Sequence, residues 1–174
     1  MKTPFSYIIA FSIWFLFSGS AASASPGTEV KKQAEEMAQA LLKHDYEKFA
    51  SFVYPDILYL MGGKDEMIQT IKDGQNAMNE QGYGLMSILI SEPSEMIDTA
   101  GELQCTIKQT MEMKAPGGRL VSLSTLVAVS KDSGKTWFFI DASNTDDIRI
   151  KSVIKRMSSK IIIPEPMKPT YLKD

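Results

Sequence analysis

The sequence predicts an α+β fold, with helices in the first half and an antiparallel sheet in the second. Two observations carry this. Up to Gly82 the apolar residues recur at helical spacing, and beyond it the period falls from 3.6 to 2. The long alternating segments are then joined by turn-forming stretches, Ala115-Pro116-Gly117-Gly118 and Ser130-Lys131-Asp132-Ser133-Gly134.

Residues 1–24 read as a secretory signal peptide. Lys2 forms a basic n-region, residues 7–17 are apolar apart from Ser12, and Ala22-Ser23-Ala24 supplies a small-x-small cleavage site. The apolar run is too short for a membrane span, and no Cys follows it for lipidation. Cleavage leaves 150 residues, a usual size for one domain with one core. The expected organisation is a single domain over 25–163 and a loose tail over 164–174, secreted or periplasmic, with no membrane anchor after cleavage.

Thr28 is the expected cap of the first helix, whose buried stripe is Val30, Ala34, Met37, Ala38, Leu41 and Leu42. Asp45 starts a short second helix with Phe49 and Phe52 turned inward, and Pro55 stops it. The apolar run 57–61 is expected as a buried strand or extended segment. A third helix spans 65–80, with Met67, Ile68, Ile71 and Met78 at helical spacing and Gly82 as its stop.

Strands are expected over 85–91, with a short partner at 95–98, and over 102–114, 119–130 and 136–142. The 102–114 strand places Leu103, Cys105, Ile107, Met111 and Met113 on one face and Gln104 among the polar residues of the other. The 119–130 strand is apolar on both faces, which predicts a central strand covered on both sides. Asn144 or Thr145 caps a final helix, with Asp146 and Asp147 in its first turn and Lys155 and Arg156 in its last. Ile161-Ile162-Ile163 reads as a short edge segment, and the prolines and charges of 164–174 as a loose tail.

Without Lys2, 18 basic residues face 21 acidic ones, a balance that gives no general pull toward nucleic acid or anionic membrane. The single cysteine, Cys105, permits no intramolecular disulfide and reads as a small buried hydrophobe, so the core must hold the fold. The eleven Met are core filler or the lining of an adaptable pocket.

The octet SKDSGKTW, residues 130–137, ends in a Gly-Lys-Thr that suggests a phosphate loop. Val129 stands where that loop needs its first glycine, and a strand rather than a helix follows, so nucleotide binding is excluded. The octet also matches the Asp-box signature of sialidase propellers, but one copy cannot make a propeller. It is expected to be a structural hairpin turn, with Asp132 accepting backbone N–H groups and Gly134 left-handed.

His44, the sole histidine, lies at a helix junction with no nucleophile motif beside it. The segment 141–146 hints at a calcium loop, but Asp146 replaces the required Gly and Ser152 the required Glu. Neither a metal nor a cofactor is expected. Two polar residues do interrupt apolar faces: Gln109 stands in register with Cys105, Ile107 and Met111, and Asp141 follows Trp137 and Phe139. They either line a pocket or are satisfied locally, Gln109 by backbone and Asp141 as a loop cap. The candidate pocket residues are Gln109, Asp141, Trp137, Met111, Tyr54 and Tyr59, with Tyr83 a further hydroxyl.

Three helices followed by a meander of long antiparallel strands, with a short strand after the second helix, resembles the NTF2-like (SnoaL-like, cystatin-like cone) superfamily over about residues 28–142. The resemblance implies a curved sheet wrapped around the helices as a cone with an apolar pocket. The final helix is extra to that fold. The family includes ketosteroid isomerase-like and dehydratase-like enzymes and many non-catalytic members. Its enzymes place Asp, Tyr or His in the cone, which here offers Asp56, Tyr59 and Asp141. Three functions stay open: a non-catalytic module for a small apolar ligand, an acid–base isomerase, dehydratase or hydrolase with Asp141 or Asp56 as base, and a protein-interaction or homodimerisation module.

Overall fold

The computed structural model describes residues 25–99, 101–143, 147–165 and 167–174. The signal-peptide reading and the expected roles of Asn144, Thr145 and Asp146 lie outside them. The first helix, α1, runs Pro26–Leu42. Its cap is Ser25, whose Oγ accepts the Thr28 N–H at 3.2 Å, rather than Thr28 itself. Pro26 explains the difference: it lacks an N–H and has a helical φ, so it suits the first helical position and carries the start three residues upstream. Helix α2, Tyr46–Ser51, is capped as expected by Asp45, which accepts the Lys48 N–H at 3.1 Å.

The run expected as a strand over 57–61 is instead part of a helix, α3, Pro55–Leu60. Pro55 starts this helix rather than merely ending α2, and Asp56 in its first turn favours the positive helix end. A short apolar run carries no periodicity that separates the two states. Helix α4 then covers Lys64–Glu80.

The sheet has six strands: β1 Gly84–Pro93, β2 Ile97–Thr99, β3 Glu102–Ala115, β4 Gly118–Ser130, β5 Phe138–Asp141 and β6 Thr170–Lys173. All pair antiparallel. The path is β1-β3-β4-β5, with β2 on β3 and β6 on β4. Register shifts in β1 between Leu85 and Ser87 and between Ile90 and Pro93 bend the sheet over the helices. Between β5 and β6 in the chain lies the fifth helix, α5, Ile148–Ile154, capped by Asp147. The result is helices packed on a curved antiparallel sheet, a cone-like arrangement with a further C-terminal helix.

Three expectations about the sheet need correcting. Strand β5 is four residues long rather than seven, because the Trp137 N–H turns to the Gln33 side chain instead of the ladder. Residues 161–163 form no strand; Ile161 and Ile163 pack against the second core instead. The tail is not loose throughout, since β6 pairs with residues 118–121 of β4 and the Tyr171 hydroxyl donates to the Pro116 carbonyl at 2.9 Å.

Strand β4 is covered on both faces over residues 125–130, but not along its whole length as its sequence predicts: residues 119–124 are half-buried or exposed, Leu123 among them. On one face Cys105, Ile107, Leu126, Ala128, Trp137 and Phe139 pack against Val30, Ala34 and Met37 of α1. On the other, Val127, Val129 and Ile140 meet Val153 of α5 together with Tyr54 and Ile57. Full burial of a Val, Ile or Leu side chain is worth about 1.5–3 kcal/mol, so these two layers carry the fold without a disulfide. The second layer also explains Gln104, placed by parity on the solvent face yet only 2 % exposed. Its Oε1 accepts the Ser158 N–H at 2.9 Å and so ties the segment after α5 to β3.

Candidate functional site

The helices and sheet leave a cavity of about 190 Å³ between them. Its helical wall is Met37, Ala38 and Leu41 of α1, Phe49 of α2, Ile57 of α3 and Met67 of α4. Strand residues Ile88, Met111, Leu126, Phe139 and Ile140 form the opposite wall, and Ile150 of α5 closes one side. An apolar cavity of roughly 150 Å³ holds a benzene molecule, whereas drug-sized ligands need about 300 Å³ or more. The space suits a molecule of about one ring.

Two polar side chains stand on this wall, Gln109 and Asp141. Register brings them together: Gln109 faces Ser124 across the β3–β4 ladder, while Asp141 faces Leu126 across β4–β5, two residues further along the same face. Gln109 Nε2 donates to Ser124 Oγ at 2.8 Å and to Asp141 Oδ2 at 3.2 Å. Asp141 Oδ1 accepts the Ser143 N–H at 2.8 Å, so this carboxylate lines the cavity and caps the following loop at once. A carboxylate only accepts, which fixes the orientation of the Gln109 amide. Its Oε1 meets no protein donor among the described residues and is reached by solvent, since no buried polar side-chain atom among them lacks a partner.

The other sequence candidates divide. Met111 lines the cavity. Trp137 does not; it is fully buried beside Met37 and Phe139, and its Nε1 donates to the Gly134 carbonyl at 3.0 Å. Tyr54 is buried off the cavity wall, with Lys131 Nζ 5.6 Å from its ring centre. Tyr59 is 83 % exposed, because in a helix it leaves the parity that an extended 57–61 segment would impose. Asp56 faces outward and pairs with Arg156 at 2.7 Å. His44 Nδ1 lies 2.8 Å from the Tyr46 hydroxyl, away from the cavity. Sequence reasoning missed Met61 and Ile150, which reach the wall only through the packing of α3, α4 and α5. Among the described residues no three His, Cys, Asp or Glu side chains gather as a metal site.

The Asp-box octet forms the expected turn beside the site. Asp132 Oδ1 accepts N–H groups from Thr136 at 2.8 Å and Lys135 at 3.1 Å and lies 2.8 Å from Ser130 Oγ. The Thr136 backbone bond leads in holding the Asp132 carboxyl down to about 2, helped by the Thr136 and Ser130 side chains and the Lys135 N–H. Gly134 sits at φ +87°. Gln33 of α1 clasps the turn, its Oε1 accepting the Trp137 N–H and its Nε2 donating to the Lys135 carbonyl, both at 2.8 Å. The turn thereby sets Phe139 and Asp141 on the cavity wall without itself reaching it.

No family model matches the chain, and neither a curated protein nor a solved structure is significantly similar to it.

Proposed function

We propose that the protein is a non-catalytic small-ligand-binding or accessory module of the secreted or periplasmic space, with its site inside a cone of the NTF2-like type. The observation that supports this best is the cavity of about 190 Å³, apolar except for the Gln109–Asp141 pair. Such a wall holds a small apolar body and orients it through a single polar end. The acid–base alternative draws no support from Asp56 and Tyr59, both away from the cavity, and the wall carries no Tyr or His to act with Asp141.

Thermal unfolding in the presence of single-ring aromatic compounds tests the proposal. A bound compound at a hundredfold excess over its Kd should raise Tm by roughly 5–10 °C. Ala38, 3 % exposed and on the wall, gives the control: Ala38→Leu fills the space and should abolish the rise while the circular dichroism spectrum stays that of the folded protein. A rise that persists in Ala38→Leu places the site elsewhere. No rise with any compound removes the proposal.

A further inference from the structure

We infer that the ligand of this cavity is a small apolar amine, held as its ammonium ion by Gln109 Oε1 and the Asp141 carboxylate, an inference that rests on the cavity being a binding site. Hydrogen-bond capacity at the polar end points first in this direction. Both N–H groups of the Gln109 amide are engaged, one by Ser124 Oγ and one by Asp141 Oδ2. What the pair still offers is acceptors: Gln109 Oε1 and the second lone pairs of the two Asp141 oxygens. Ser124, which carries the nearest hydroxyl donor, is not on this wall. An incoming group must therefore bring its own N–H or O–H.

Charge narrows the class further. Among the described residues Asp141 is the only ionisable side chain on the wall, and it forms no ion pair there. A ligand carboxylate would meet like charge at Asp141 and a carbonyl dipole of the wrong sense at Gln109. A hydrocarbon would fill the space but use neither acceptor, leaving both to water. An ammonium satisfies both groups, and the remaining wall tolerates it. Phe49 and Phe139 present aromatic rings, and Met37, Met61, Met67 and Met111 polarisable sulfurs. The apolar body then fills the helical side, while the cation stays near Asp141, whose other flank is open to solvent. That exposure limits the gain to about tenfold in affinity, the worth of one partly screened charge-assisted hydrogen bond.

Three compounds that share a phenylethyl body decide the matter: phenethylamine, propylbenzene and 3-phenylpropionate. Each is titrated into the chain from residue 25 onward at pH 7, by calorimetry or ligand-observed NMR. The amine is expected to bind about tenfold more tightly than the hydrocarbon, and the carboxylate more weakly than either. In Asp141→Asn the amine should fall to the affinity of the hydrocarbon. If that variant does not fold, the wild-type ranking decides alone. Equal binding of amine and hydrocarbon by the wild type, or tightest binding of the carboxylate, overturns the inference while leaving the cavity a binding site. Failure of all three to bind overturns both.

Discussion

Gly134 shows how much of this protein rests on single backbone positions. Its φ of +87° lies in the left-handed region, and a Cβ there would stand 2.8 Å from Pro26 Cβ at the start of α1. Gly134→Val should therefore cost about 3 kcal/mol, combining a strained turn with a clash against another element. An unchanged melting temperature would refute this. Asp132, two residues earlier, makes the turn acid-sensitive. Its carboxyl titrates at about 2 in the folded protein, against roughly 3.9 for a free aspartate. A depressed value stabilises the fold fully above about pH 4, and the contribution is lost as the pH falls through about 2. Urea unfolding between pH 5 and 2 should show this loss in the wild type and a shallower slope in Asp132→Asn. Cys105 behaves in the opposite sense, since burial pushes its thiol up to about 12. It should resist iodoacetamide in the native state and react on unfolding.

Among the elements, the long ones are legible, as are the short α2 with its Asp45 cap and the short β2, whereas α3 and β6 are not. The alternation over 102–114 locates β3 to within a residue, and its parity singles out Gln109, the polar group in an apolar row that does reach the cavity. Helix α3 was hidden because its short apolar run satisfies strand and helix alike, and the error displaced Tyr59. Strand β6 was hidden for another reason. All four of its residues are exposed, so no hydrophobic pattern marks it, and it is held through its backbone against β4. Gly118 records that contact: a Cβ there would lie 2.2 Å from the Leu172 carbonyl oxygen. Gly118→Ala should detach β6, and hydrogen exchange of the amides of residues 118–121 should rise several-fold with little change in the cores. Protection equal to wild type would show that β6 accommodates the methyl group.

Taken as a whole, the molecule joins its ends through polar side chains that no local pattern reveals. Gln33 lies outside the apolar stripe of α1, yet it satisfies the Trp137 N–H and the Lys135 carbonyl. Gln33→Leu strands both groups and should lower stability by about 1–3 kcal/mol, read from the urea midpoint. The cavity was only partly legible at this scale. Its polar end follows from strand parity, whereas its four methionines come from α1, the end of α3, α4 and β3, whose approach depends on the complete packing.

The bond from Gln33 to Trp137 spans 104 residues of chain. During synthesis, α1 emerges with Val30, Ala34 and Met37 uncovered, long before the turn and strands that bury them exist. A nascent chain ending short of Trp137 thus cannot complete its first core, and the N-terminal helices remain open to proteases and holding chaperones until Trp137 and Phe139 have been made.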